Sequence, residues 1–266
     1  MSDDPQRPID RLLWVMARLR DPQNGCEWDR AQDFSTIAPY TIEEAYEVAD
    51  AIARNDLTDL KEELGDLLLQ VVFHSKIAED EGHFNFDEVA SAISKKLITR
   101  HPHLFADETD AHSTQTERWE ALKAKERAAK GAEGAMDGVA LALPALMRAE
   151  KLQKRAARAG FDWPEADGPI AKIAEEIEEL QNARTGEERL LEAGDLLFAA
   201  VNLVRHYGVP PEDALRAANA KFERRFRMME QLSQNDGKHF DSLPLDEQEA
   251  YWVAAKNGES ERGEAS

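Results

Sequence analysis

Residues 59–79 read DLKEELGDLLLQVVFHSKIAE, and residues 187–206 read EERLLEAGDLLFAAVNLVRH. Both stretches carry apolar residues at helical spacing, and neither contains proline, so each is expected to be one long helix. The second is closed by Gly208-Val209-Pro210-Pro211, a glycine-then-proline stop, and a new helix is expected near Glu212. Around them helix formers dominate, and runs of β-branched residues with period two are scarce. The expected fold class is therefore all-α, built of packed helices. Residues 123–138 (KAKERAAKGAEGAMDG) are rich in Ala, Gly and charge, and read as an exposed helix end running into a linker. Leu143-Pro144 restarts the apolar pattern, and residues 257–266 (NGESERGEAS) are polar and expected to fray.

The same elements occur twice. Gly25-Cys26-Glu27-Trp28 matches Gly160-Phe161-Asp162-Trp163, 135 residues on. Glu43-Glu44-Ala45-Tyr46-Glu47 matches Glu175-Glu176-Ile177-Glu178-Glu179, 132 on, and the E-x-G-D-L-L run from Glu63 matches that from Glu192, 129 on. Lys96 matches Lys221, 125 on. The order is kept while the offset shrinks, as in a tandem duplication whose second copy has shorter loops. The expected organisation is tandem helical-bundle domains at residues 1–122 and 143–256, a linker at 123–142 and a flexible tail at 257–266.

Composition bounds the function. The 266 residues are 42% apolar and 32% charged, a globular balance. No apolar run approaches the roughly 20 residues of a membrane span. The N-terminal MSDDPQRPID lacks the apolar core of a secretory signal. Cys26 stands alone, which excludes a disulfide framework or a multi-cysteine zinc site within one chain. A cytoplasmic protein without membrane association is expected. Asp and Glu number 53 against 33 Lys and Arg, a net charge of -20, which argues against a duplex nucleic-acid binder.

Each half carries E-E-x-x-E and then E-x-x-D, with 15 or 12 residues between the motifs. On a helix, positions three apart lie about 60° from each other, so Glu44 and Glu47 share a face, as do Glu63 and Asp66. The intervening length allows a turn, and two antiparallel helices would aim four carboxylates at one point. Oxygen donors of this kind suit Mg²⁺ or Mn²⁺. A Glu-rich helix face is ordinarily a solvated surface with basic partners at i+4. Here Glu44, Glu47, Glu176 and Glu179 have Val48, Ala51, Leu180 and Ala183 there. Thr41 with Glu44 three residues on also fits a capping box, which would account for Glu44 without a metal. Glu176 has Ile173 at the matching position, which cannot cap, and Pro169 reads as the first helical residue. Glu192 and Asp195 fall among Leu191, Leu196, Ala199 and Leu203, and acids bordering an apolar stripe are costly unless paired or metal-bound.

A second layer surrounds the acids. Lys221, Arg224 and Arg225 share a helix face and suit phosphate. The first half offers Lys95, Lys96 and Arg100 there, with Thr99 in place of the first Arg, and so carries less phosphate-binding charge. Trp28, Trp119, Trp163 and Trp252 are the aromatic candidates for stacking on a base. His74, His101, His103 and His206 lack zinc-ligand spacing and read as structural or surface residues. No phosphate-binding glycine loop of either common type occurs.

This ordered set resembles the MazG family of nucleoside triphosphate pyrophosphohydrolases over nearly the whole chain. Further pieces carry the resemblance: RLRDPQNGCEWD (18–29), APYTIEEAYEV (38–48), RHPHLF (100–105), LPALMRAEKLQKRA (143–156), GFDW (160–163) and KFERRF (221–226). The resemblance implies the all-α NTP pyrophosphatase fold and a homodimer. It also implies Mg²⁺-dependent hydrolysis of a nucleoside triphosphate to the monophosphate and pyrophosphate. It places metal ligands at Glu44, Glu47, Glu63 and Asp66, and again at Glu176, Glu179, Glu192 and Asp195. It places nucleotide contacts at Lys172, Lys221, Phe222, Glu223, Arg224, Arg225 and Trp252, and makes the C-terminal half the main catalytic unit. Glu188 departs from the pattern, standing where a basic contact is expected. Glu175, not a ligand, is a candidate to orient the attacking water. Two other readings stay open: a nucleotide-sensing regulator or scaffold without turnover, and a pyrophosphatase narrow for one nucleotide such as dUTP.

Overall fold

A computed structural model describes residues 7–105 and 134–263. Trp119 and the 123–133 part of the expected linker lie outside the described residues. Among the described residues the secondary structure is helical, with no strand. The chain divides into two compact units, Met1–Leu122 and Lys123–Ser266.

In the first unit, α1 (Pro8–Leu19) starts on a proline at its first position, where the missing N–H costs nothing. A tight turn follows. The Asp21 carboxylate accepts from the backbone N–H of Gln23 and Asn24, and Gly25 lies so close to the Leu19 carbonyl that a Cβ there would sit 2.4 Å from it. Beyond the short α2 (Glu27–Ala31), α3 (Phe34–Arg54) begins at an Asp33 cap closed by Thr36. This corrects the capping reading at Thr41. Thr41 lies inside α3, where its hydroxyl meets the His74 ring 3.0 Å away, so Glu44 caps nothing. Pro39 inside the helix removes one hydrogen bond without stopping it.

Asn55, in the left-handed conformation at φ 55°, ends α3, and Asp56 caps α4 (Leu57–Asp80) by accepting from the N–H groups of Thr58 and Asp59. The short link makes α3 and α4 an antiparallel hairpin. α1 and α5 (Phe86–Arg100) pack on α4, and α6 (Pro102–Phe105) follows. Met16, Ile37, Val72, Phe73 and Ile77 form the core. Side chains of this size contribute about 1.5–3 kcal/mol each when fully buried.

The second unit repeats the hairpin. α7 (Ala145–Arg158) leads to α8 (Asp167–Asn182) and α9 (Gly186–His206), which pack on each other. Gly208 at φ 72° ends α9, and α10 (Pro211–Asn235) begins at the proline pair. A single 3-10 turn at Phe240–Ser242 precedes α11 (Leu245–Gly263), which packs on α10. The segment expected to fray from residue 257 is thus helical through Gly263.

Candidate active site

The two hairpins carry the acids. On α8 and α9, Glu176, Glu179 and Glu192 bring carboxylate oxygens within 4.8 Å of one another. On α3 and α4, Glu44, Glu63 and Asp66 do the same. Each cluster therefore gathers three of the four expected acids. Asp195 stands one turn along α9 from Glu192 and lines the adjoining cavity, while Glu47 stays exposed on α3. Oxygens on opposite sides of an octahedral Mg²⁺ lie about 4.2 Å apart, so both clusters have the dimensions of a cation site.

The C-terminal cluster has a buried member. Glu176 is only 2% exposed. Its Oε1 accepts from Lys172 Nζ at 2.5 Å, and its Oε2 is buried without a hydrogen-bond partner. A carboxylate oxygen stripped of water and left unpaired is costly. A divalent cation is the partner that this oxygen and its two neighbouring acids fit. Lys172 also donates to Glu175 Oε1 at 2.9 Å, and these two bonds hold its ammonium charged well above the usual lysine range. Desolvation, then repulsion from Glu176, pushes the Glu179 carboxyl up. In the first unit desolvation, then Asp66 and Glu47, pushes Glu44 up, and desolvation, then Glu47, pushes Glu63 up. In the repeat register, Tyr40 stands where the second unit has Lys172.

Beside the second cluster lies a cavity of about 440 Å³. Lys172, Glu176 and Asp195 line it together with Phe161, Trp163, Phe198, Gln153 and Asn202. Among the described residues, Trp163 is the tryptophan candidate that reaches it. Its ring lies against the start of α8 only because residue 168 is glycine, since a Cβ there would stand 2.1 Å from the indole. Gln153, Asn202 and Gly168 escape the sequence reading. The one available signal is that the GFDW copy of the repeat is followed by Gly168-Pro169.

The basic stretch on α10 faces α11. Arg225 donates to Glu259 at 2.7 Å and lies over the Trp252 ring at 5.4 Å, and Arg224 is 3.8 Å from the same carboxylate. Phe222 packs on Trp252 and Phe226. Glu223 pairs with Arg227 one turn on. None of residues 221–225, nor Trp252, lines the cavity beside the acids. Glu188 has a structural task. It closes the capping box of α9, accepting from the N–H of Arg184 and Thr185 while Thr185 Oγ1 accepts from its own N–H. Those backbone donors hold its carboxyl low.

Helical hairpins that set E-x-x-E against E-x-x-D define an all-α carboxylate bundle, with three acids in each hairpin at a spacing that fits a divalent cation. Residues 32–105 match the family model described as the MazG nucleotide pyrophosphohydrolase domain. Residues 144–222 match that of phosphoribosyl-ATP pyrophosphohydrolase. The chain is 51% identical over 257 residues to the nucleoside triphosphate pyrophosphohydrolase of Escherichia coli K12, covering 94% of this chain and 98% of that one. It is 43% identical over 251 residues to the nucleoside triphosphate pyrophosphohydrolase/pyrophosphatase MazG of Thermotoga maritima, covering 94% and 96%. A Mycolicibacterium smegmatis nucleoside triphosphate pyrophosphohydrolase is 33% identical over 98% of this chain and 75% of its own length. The chain belongs to the MazG family of pyrophosphohydrolases.

Proposed function

We propose that the second unit, residues 143–256 joined to residues 1–122 through a linker at 123–142, hydrolyses nucleoside triphosphates to monophosphate and pyrophosphate. Both ribo- and deoxyribonucleotides are taken as substrates, in a house-cleaning role in the cytoplasm. The observation that carries this reading is the buried Glu176, whose Oε2 has no partner and whose carboxylate clusters with Glu179 and Glu192 beside a cavity large enough for a ligand. The names of the full-length relatives support the substrate class.

Glu176, Glu179 and Glu192 would hold Mg²⁺ or Mn²⁺, with Asp195 available from the cavity side. A bound ion of this kind neutralises phosphate charge and acidifies a coordinated water. Lys172 clamps Glu176 in place and holds Glu175, whose carboxylate would orient the attacking water. Water adds at phosphorus, the anhydride bond between the α and β phosphates breaks, and pyrophosphate leaves with the electron pair. Lys221, Arg224 and Arg225 would meet the phosphates by exchanging Glu259 for substrate oxygens. Leu190, Leu191 and Leu197, all more than 60% exposed on α9, support a homodimer, since a second copy would cover them. Among the described residues no helix is long and apolar enough to cross a membrane.

Three outcomes are expected. Pyrophosphate release should require Mg²⁺ and stop on chelation. A folded protein that binds nucleotide and releases nothing is instead a regulator without turnover. Mg²⁺ should raise the Tm of the wild type, and by less at pH 5 than at pH 8. The carboxyls of Glu179, Glu44 and Glu63 titrate above their ordinary value, so protons compete with the ion as pH falls through that range. An increment independent of pH, or none, contradicts the ion site. Finally, Glu44→Ala should keep most of the turnover, because the first unit has Tyr40 in place of the lysine clamp. Complete loss would make the first unit catalytic too.

A further inference from the structure

Residues 257–266 are polar, yet α11 stays helical through Gly263. A carboxylate ties its last turns to α10. Trp252, Ala255 and Glu259 are spaced three and four residues apart, so they form a stripe on one face of α11. That face packs on α10. Ala255 is 2% exposed, Trp252 meets Phe222 with ring centroids 5.7 Å apart, and Glu259 meets the basic stretch.

Three cations act on Glu259. Arg225 Nε donates to its Oε2 at 2.7 Å, and Arg224 Nε stands 3.8 Å from its Oε1. The hydrogen bond from Arg225, then the charges of Arg225, Arg224 and Lys221, hold its carboxyl below the usual glutamate range. The Arg225 guanidinium also lies over the Trp252 ring, a second contact that keeps it in place when the carboxylate moves. A cavity of about 410 Å³ opens beside the pair, lined by Arg224, Arg225, Met228, Ala255 and Glu259. An ion pair that only joined two helices would need neither the second arginine nor the open space. Two anionic oxygens facing two guanidinium groups are what a phosphate would present there.

We propose that Glu259 is an internal competitor for phosphate. The last turns of α11 form a strap whose carboxylate occupies Arg224 and Arg225 in the absence of substrate, and a polyphosphate anion displaces it. The identity of that anion rests on the proposed nucleotide hydrolysis, to which the strap adds a residue that sets how readily the phosphates enter.

The test compares wild type, Glu259→Gln, Arg225→Ala and the double variant at fixed Mg²⁺ and ionic strength. Calorimetry gives the Kd of inorganic pyrophosphate, and steady-state kinetics give KM for each common nucleoside triphosphate. Hydrogen exchange at residues 257–263 of the wild type is followed with and without pyrophosphate. A strap closed about 80–90% of the time weakens the apparent affinity of a competing anion about five- to tenfold. Glu259→Gln keeps the shape and removes the charge, so Kd and KM should both fall by about that factor. The same substitution on the Arg225→Ala background should lose this gain. Pyrophosphate should speed exchange at residues 257–263. A Kd and KM that rise in Glu259→Gln make Glu259 a support for Arg225 and overturn the proposal, as do unchanged values. Absence of pyrophosphate binding, or exchange that pyrophosphate leaves unaltered or slows, also overturns it. If Glu259→Gln does not fold, the exchange of the wild type decides. A wild type that binds pyrophosphate and frees its tail but turns over no nucleotide overturns the proposed reaction and leaves the strap standing.

Discussion

Glu176→Ala is expected to lower kcat/KM for nucleotide hydrolysis by on the order of 10³-fold, the scale of removing one preorganised group that stabilises charge in a transition state. Glu176 is the buried member of its cluster, and its loss removes both an oxygen facing the other acids and the anchor of Lys172. The fold should survive, because Lys172 keeps its bond to the exposed Glu175 and is not left as a lone buried charge. Pyrophosphate release measured beside circular dichroism separates the two effects. The Mg²⁺-induced rise in Tm should shrink with the activity. Near-normal turnover from this variant contradicts the assignment of the second hairpin.

Asp195→Ala is the second large effect, of about 10²-fold or more. Asp195 stands outside the three-acid group in the ligand-free protein but shares the cavity wall with Glu176 and Lys172. Its side chain is exposed on α9, and alanine favours the helix, so the Tm should hold or rise slightly. A drop in kcat with little change in KM marks an interaction made as the anhydride bond breaks. A variant with wild-type kcat and KM removes Asp195 from the site.

The long helices are legible because periodicity and stop signals are local. The 59–79 reading becomes Leu57–Asp80, and the 187–206 reading becomes Gly186–His206. The pairing of E-x-x-E with E-x-x-D is legible for the same reason, since a short link forces two adjacent helices into a hairpin. The start of α3 is missed because Thr41 and Glu44 have the spacing of a capping box, whereas the Asp33–Thr36 box upstream sets it. The basic stretch shows what spacing omits. Lys221, Arg224 and Arg225 share a face, but that Arg225 turns to Glu259 depends on a helix 34 residues further on. The cavity is hidden for the same reason. Gln153 comes from α7 and Asn202 from α9, and no motif joins two residues that meet only when those helices pack.

The central claim is that the anhydride bond between the α and β phosphates is the one broken. Purified protein incubated with Mg²⁺ and each nucleoside and deoxynucleoside triphosphate, with products resolved by anion exchange, tests it directly. The account predicts monophosphate and pyrophosphate in equal amounts, with the rates across bases separating a broad enzyme from one narrow for a single nucleotide. Diphosphate with inorganic phosphate would contradict it.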